Sequence, residues 1–180
     1  MQTLQSSAPL QQQRTEVVRH GIPGSSFPIS AAVEVPAGAT MVYLSGTVPP
    51  RVDSGKPANG REAYGGDTRG QTLGVLRSIE SQLKNLGLTM GDIVKMQAFL
   101  VADATKGNAM DFDGFMAGYT QYFGTSAQPL LPVRSAFQIA ALVNPAWLVE
   151  IEVTAVRPAG APMASPQPAA PALPSAPAGR

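Results

Sequence analysis

The sequence contains no cysteine among its 180 residues, which excludes disulfide bonds, thiolate zinc sites and cysteine nucleophiles. Its single histidine, His20, would have to serve any serine–histidine–aspartate triad, and we expect a structural role for it instead. Charged residues make up only 14% of the chain, and the net charge is +1 without any dense lysine and arginine run. Because a nucleic-acid-binding protein needs a basic stripe to displace counterions from phosphates, nucleic acid is not expected as a partner.

Long apolar runs are also absent, and none approaches the roughly 20 residues that a membrane-spanning helix requires. Residues 1–14 are rich in glutamine and serine and lack the apolar stretch of a signal peptide. We therefore expect no membrane partner and a cytoplasmic location, or a periplasmic one if a leader peptide has been removed.

The hydrophobic fraction of 44% is sufficient for one domain with a sizeable core. Residues 1–13 are predicted to be a flexible lead-in, and residues 14–157 to form the domain. Residues 158–180, where proline and alanine dominate, are predicted to be a disordered tail. Because few charges cover the surface, we expect part of it to be buried against another subunit.

Hydrophobic periodicity within the domain predicts elements in the order β-β-β-α-β-α-β-β. The first helix is expected to begin at Asp67 or Thr68 and to end with Gly87 as its C-terminal cap, and the second to span residues 110–123. The predicted strands cover residues 15–20, 32–35, 41–46, 93–100, 135–140 and 148–155. This order favours an α+β domain in which both helices pack on one face of a single mixed sheet.

Arg134 is the first candidate for chemistry, because it lies where a loop stiffened by Pro132 meets a predicted strand. Its guanidinium is always charged, and its planar fork matches a carboxylate, so Arg134 could bind a small carboxylate ligand. An ion pair with Glu150 or Glu152, at the surface or in an interface, is the alternative interpretation.

Glu150 and Glu152 alternate with Val149, Ile151 and Val153, so both glutamates are predicted to share one face of the last strand. A buried glutamate in such a position has a raised pKa and could act as a general acid or base. A solvated strand face is the alternative.

Five segments, taken in order, resemble the RidA/YjgF family of imine deaminases, and the resemblance covers most of residues 15–157. The segments are Pro28–Val33 (PISAAV), Tyr43–Pro49 (YLSGTVP), Val94–Leu100 (VKMQAFL), Pro132–Ser135 (PVRS) and Val149–Glu152 (VEIE).

The resemblance implies a chorismate-mutase-like fold, a homotrimer with clefts between subunits, and a role in controlling damage by reactive metabolites. It implies hydrolysis of 2-imino acids, such as 2-iminopropanoate and 2-iminobutanoate, to 2-oxo acids and ammonia without metal or organic cofactor. Arg134 corresponds to the arginine that binds the substrate carboxylate, and Glu150 to the glutamate that activates water. Ser30, Gly46 and Phe99 correspond to further residues of the cleft.

Two positions depart from the family pattern, and both would make the cleft more apolar. Ile29 stands where family archetypes carry a tyrosine, and Met116 where many members have an asparagine. We list both among the expected substrate-binding residues. The loss of the tyrosine favours a second hypothesis, a non-catalytic regulatory trimer that binds a small carboxylate. A ribonuclease is disfavoured by the charge balance and by the absence of a histidine pair.

Overall fold

The computed structural model describes residues 16–163, so the predicted lead-in and most of the predicted tail lie outside the described residues. Between these limits the chain forms seven strands, two α-helices and three short 3-10 turns. The strands are β1 (Val18–Gly21), β2 (Ser30–Glu34), β3 (Thr40–Thr47), β4 (Ile93–Asp103), β5 (Ala109–Met110), β6 (Val133–Ile139) and β7 (Val149–Arg157). The helices are α1 (Thr68–Asn85) and α2 (Phe112–Tyr119). The domain boundaries remain a prediction.

The main sheet is mixed, as predicted. Its strands follow the order β3-β7-β4, and β5 and β6 pair with successive parts of β4. The β4–β6 pair is parallel, whereas the other pairs are antiparallel. Strands β1 and β2 form a separate hairpin instead of joining the main sheet. The hairpin is attached to it through the backbone amide of Ser30, which donates to the carbonyl of Pro132 at 2.9 Å.

The second helix is shorter than predicted, and the strand β5 was not expected. Asp111 caps α2 by accepting a hydrogen bond from the amide of Gly114, so the helix begins at Phe112 and residues 109–110 pair with β4. The helix ends at Tyr119, and Phe123 is buried through the turn that follows. The predicted helix, residues 110–123, was therefore too long. The aromatic residues keep a helical spacing beyond the end of the helix, because the following turn also packs on the core.

Both helices pack on one face of the main sheet, which confirms that prediction. Their apolar side chains form one cluster with the inward residues of β4 and β7. Helix α1 ends as expected: Gly87 has φ +69°, and the amide of Leu88 donates to the carbonyl of Leu83 at 2.8 Å. Within the described residues, no element covers the opposite face of the sheet, which carries the exposed rings of Tyr43 and Phe137.

Arg19 fixes the hairpin to the main sheet. Its half-buried guanidinium donates hydrogen bonds to the carbonyls of Gly91, Ile93 and Leu131 at 2.7, 3.0 and 2.8 Å. Burial lowers the pKa of Arg19, although nearby Asp92 opposes this effect. The start of β2 is thereby held beside the start of β6, and this placement creates the cavity described below.

The end of β4 carries a buried ion pair. The carboxylate of Asp103, which is 2% exposed, accepts hydrogen bonds at 2.8 Å from the guanidinium of Arg61 and from the amide and hydroxyl of Thr105. Burial opposes ionisation of Asp103, but these hydrogen bonds outweigh it, and the pKa of Asp103 is lowered. The pair ties the loop between β3 and α1 to the sheet.

Replacing Asp103 with asparagine is expected to lower the free energy of unfolding by about 2 kcal/mol at pH 7, because Arg61 loses a charged partner. The pKa of Asp103 is depressed by folding, so its contribution is present above the unfolded-state pKa of about 4 and is lost as the pH falls through the lower folded-state value. Urea unfolding of both proteins between pH 7 and pH 2.5 measures this. A difference that stays constant over that range would contradict the assignment.

Candidate active site

Arg134 is one of the residues that line a cavity of about 310 Å³ between the hairpin and the main sheet, which we call the arginine pocket. It is the second residue of β6, and its backbone pairs with that of Met96, whose side chain faces the helices. Arg134 therefore extends toward α2 rather than toward the open face of the sheet. The cavity is lined by Ile22, Ile29, Ser30, Ala31, Lys95, Met96, Val133, Arg134 and Ser135.

Aromatic rings and a thioether surround the half-buried guanidinium of Arg134. The guanidinium carbon lies 4.3 Å from the ring centre of Tyr119. Its distances to the ring centres of Phe115, Phe27 and Phe112 are 5.1, 5.4 and 5.8 Å. A guanidinium NH group donates to the sulfur of Met116 at 3.2 Å. Stacking over ring faces stabilises a cation but satisfies none of its hydrogen-bond donors, and a thioether is a weak acceptor.

Burial lowers the pKa of Arg134, while Tyr119 acts in the opposite direction. An arginine remains protonated in proteins in spite of such a shift, so the pocket holds a full positive charge. Burial also raises the pKa of Tyr119 to about 12, although the nearby Arg134 charge opposes the rise. Tyr119 is therefore a neutral phenol at pH 7, and its hydroxyl donates to the carbonyl of Pro28 at 2.8 Å.

Arg134 has no acidic partner within residues 16–163, where the ion pairs are His20–Glu34, Arg61–Asp103 and Lys106–Asp111. The alternative of a pair with Glu150 or Glu152 is therefore not realised within one subunit. A half-buried cation without a carboxylate partner among the described residues can bind an anion, and the planar fork of its guanidinium matches a carboxylate.

Three more of the predicted residues lie at this pocket. Ile29 and Ser30 line the cavity, and Met116 contacts the guanidinium from α2. The hydroxyl of Ser30 already donates to the carbonyl of Leu131 at 2.7 Å, so toward a ligand it is available only as an acceptor. The cavity lining thus combines two basic side chains and two serines with apolar residues.

The remaining predicted residues lie together elsewhere. Glu150, in β7, is paired with Phe99 in β4, and the Phe99 ring stacks on Phe137 with 6.1 Å between centres. The carboxylate of Glu150 lies directly against Gly46, because any side chain at position 46 would collide with it. A register shift in β3 between Leu44 and Thr47 makes this approach possible. We call Gly46, Phe99 and Glu150 the glutamate patch.

The pleat of the sheet separates the arginine pocket from the glutamate patch. Val149, Ile151 and Val153 face the helices, so Glu150 and Glu152 share the opposite face, as predicted from their spacing. The predicted site residues thus form two groups on opposite faces of one subunit. A ligand bound to Arg134 can meet a glutamate of this patch only if a second subunit supplies it.

The other candidates of the sequence have structural positions. His20 lies 2.7 Å from Glu34 across the hairpin. Asp103 and Asp111, two acidic residues of the second half of the domain, act in the buried ion pair and in the cap of α2. Among the residues that the structure describes, no group of three or more possible ligands could hold a metal ion. In the same range, no helix has the length and apolarity to cross a membrane.

Phe27 and Tyr119 contact Arg134 but were not expected at the site. Phe27 belongs to a segment that was read as a turn, and Tyr119 was read as an ordinary apolar residue of the second helix. The signal available for Phe27 was an aromatic residue directly before Pro28, close to the expected position of a missing tyrosine. The cation–aromatic contact itself depends on tertiary packing, which residue spacing cannot supply.

The family model described as Endoribonuclease L-PSP matches residues 23–157, and the chain belongs to this family, the RidA/YjgF family. The chain is 31% identical over 138 residues to TdcF of Escherichia coli, whose name assigns it provisionally to the reactive intermediate deaminases. This match covers 76% of the chain and 92% of TdcF. A RutC family protein of Pyrococcus abyssi is 27% identical over 130 residues, with 72% of the chain and 87% of the relative covered.

Solved structures of the family agree with the fold. The crystal structure of E. coli TdcF with bound serine matches with a TM-score of 0.50 at 28% identity, covering 72% of the chain and 94% of TdcF. The Rid family protein YyfB of Yersinia pestis matches with a TM-score of 0.58 at 23% identity, covering 77% of the chain and 97% of YyfB. The second likeness shows the fold alone.

Replacing Gly46 with alanine is expected to push the Glu150 carboxylate away while leaving the fold intact, because the displaced atoms are the end of a flexible side chain. A crystal structure of the variant should show Glu150 in a new rotamer, with a melting temperature within about 3 °C of the wild type. Gly21→Ala is the control, since nothing lies within 4 Å of the added methyl group. An unmoved Glu150 would contradict the contact.

Proposed function

We propose that the protein hydrolyses reactive 2-imino acids to 2-oxo acids and ammonia, as an imine deaminase that needs no cofactor. The observation that carries this proposal is the half-buried guanidinium of Arg134, which has no acidic partner among the described residues. Membership of the RidA/YjgF family and the similarity to TdcF support the reaction class. Serine, named in the TdcF structure, has a carboxylate next to a nitrogen-bearing carbon, the arrangement found in a 2-imino acid.

Arg134 is proposed to bind the substrate carboxylate through two parallel hydrogen bonds. This contact would fix the adjacent carbon of the C=N bond and turn attack by water into a positioned step. The thioether of Met116 is easily displaced by the carboxylate, because it is the weaker acceptor for the same NH group.

Glu150 is proposed to take a proton from the attacking water as the C–O bond forms at C2 of the imine. The imine reacts in its protonated form, so the addition of water gives a neutral carbinolamine. Glu150 then returns its proton to the amino nitrogen, the C–N bond breaks with release of ammonia, and Glu150 accepts the hydroxyl proton as the C=O bond of the 2-oxo acid forms. Water adds to imines readily in solution, so orientation and one base are sufficient and no strong nucleophile is required.

The active unit is proposed to be a homotrimer, with each site formed between two subunits. Arg134 and Glu150 lie on opposite faces of one subunit, so a shared site needs the glutamate of a neighbouring subunit. The open face of the sheet carries Tyr43 and Phe137, which are 76% and 46% exposed, and aromatic surface of this kind is typical of interfaces.

A non-catalytic regulatory trimer that binds a small carboxylate is the second candidate. It is favoured by the apolar residue Ile29, because the cavity there lacks the phenolic hydroxyl of the family archetypes. The two functions share Arg134 and differ in whether Glu150 matters.

Replacing Arg134 with alanine is expected to lower kcat/KM for 2-iminopropanoate by about 100-fold, because the substrate is no longer oriented. The imine is generated with an amino-acid oxidase, and its removal is followed as reduced trapping by semicarbazide. Arg77→Ala, an exposed arginine of α1, is the matched control and should stay within about twofold of the wild type. An unaffected Arg134→Ala protein would remove the proposed site. If the wild-type protein does not reduce trapping by semicarbazide, but pyruvate raises its melting temperature and the Arg134→Ala variant loses that rise, the protein binds a carboxylate without catalysis.

Mixed trimers test whether the site spans two subunits. Arg134→Ala and Glu150→Gln proteins should each be nearly inactive, but a refolded 1:1 mixture should recover about a quarter of the wild-type activity, since random assembly restores both groups at one site in four. Activity per site is measured against each parent refolded alone. A mixture no more active than its parents would show that the two residues do not act at an intersubunit site.

A further inference from the structure

The ring of Phe27 lies beside the Arg134 guanidinium and is partly open to solvent. Of the four rings around the Arg134 guanidinium, Phe115 and Tyr119 are fully buried, so neither can contact a ligand. Phe27 is 40% exposed, and its ring centre lies 5.4 Å from the guanidinium carbon. An exposed aromatic face beside an unpaired cation is available to a molecule that the cation holds.

The backbone of this segment is fixed from several sides. The amide of Phe27 donates to the hydroxyl of Ser25 at 3.1 Å, and the amide of Ile29 donates to the carbonyl of Phe27 at 2.8 Å. The carbonyl of Pro28 accepts from the buried hydroxyl of Tyr119 at 2.8 Å. Hydrogen bonds therefore hold the backbone on both sides of Phe27, so binding a ligand against its ring costs little conformational entropy.

The side chains closest to Phe27 and the Arg134 guanidinium are mainly apolar. Ile22 and Ile29 line the cavity, and Met116 touches the guanidinium. The hydroxyl proton of Ser30 is engaged with Leu131. The pleat directs Lys95 and Ser135 toward the opposite face of the sheet, because they alternate with Met96 and Arg134. Lys95 and Ser135 line the same cavity, but their donors lie on the other side of β4 and β6 from the Arg134 guanidinium, so the surface next to the Phe27 ring is mainly apolar.

We infer that Phe27 is a specificity-determining residue that selects 2-imino acids with a branched or otherwise bulky apolar side chain over 2-iminopropanoate, whose side chain is a single methyl group. The inference rests on the proposed binding of a carboxylate by Arg134. The carboxylate occupies the guanidinium fork, and the substituent on C3 lies against the Phe27 ring and Ile29. The ring supplies apolar area without the hydroxyl that a tyrosine would bring, so polar side chains gain nothing there.

The selectivity is measured on binding of the 2-oxo acid products, which does not depend on turnover. Calorimetry with pyruvate and with 4-methyl-2-oxopentanoate should show tighter binding of the branched acid to the wild type. Phe27→Ala should weaken binding of the branched acid roughly tenfold and of pyruvate less than about twofold, because only the branched chain reaches the ring. Phe27→Leu, which keeps apolar volume, should retain most of the preference.

Val52→Ala is the control, since it also truncates an exposed apolar side chain, 58% exposed, in the loop between β3 and α1. Melting temperatures of all variants confirm that each is folded. Equal weakening of both acids by Phe27→Ala, or no change in either, would overturn the inference. The proposed hydrolysis is judged separately by the semicarbazide assay, so a protein with the binding preference but without imine turnover would contradict the deaminase and leave the selectivity established.

Discussion

The charge of Arg134 is the constraint around which the site is built. The guanidinium is half-buried among rings of α2 and the ring of Phe27, and within the described residues it meets no carboxylate. Aromatic faces tolerate a cation at modest gain, and the side-chain acceptors beside its NH groups in the described part of the chain are the neutral Met116 sulfur and Tyr119 hydroxyl. Such an arrangement is most stable when an anion completes it.

The geometry of the sheet gives the second constraint. Because side chains alternate along β6 and β7, Arg134 points toward the helices and Glu150 toward the open face. The two residues of one subunit therefore cannot contact the same ligand. Association of subunits through the open face would cover Tyr43 and Phe137 and bring the halves of different subunits together. On this account, the association of subunits creates the active site. An isolated subunit would bind anions weakly and would hydrolyse no imine.

Much of this arrangement was predictable from the sequence. The alternation of Val149, Glu150 and Ile151 fixed the outward direction of Glu150, and the spacing of leucines placed α1 to within a residue or two. The separate β1–β2 hairpin and the short β5 were missed, because strand pairing depends on partners distant in the chain. Helix α2 was overestimated, since Phe123 is buried through a turn that continues the apolar pattern.

The site was predicted in its residues but not in its surroundings. Arg134 and Glu150 were proposed from their positions in predicted strands, and Ser30 and Gly46 through the family resemblance. The structure shows that these four residues form two groups rather than one. The close approach of Glu150 to Gly46 arises from a register shift in β3 that the local sequence pattern does not predict. Phe27 became visible only when folding placed its ring beside the guanidinium. Sequence therefore identified the charges, whereas the apolar walls that would set substrate choice required tertiary structure.

The most direct measurement of the central claim is a crystal structure of the protein with 2-oxobutanoate bound. The account predicts both carboxylate oxygens within hydrogen-bond distance of the Arg134 guanidinium, in a groove between two subunits, with Glu150 of a neighbouring subunit facing the carbonyl carbon. A structure in which the ligand avoids Arg134, or in which another acidic side chain already occupies the guanidinium fork, would contradict it.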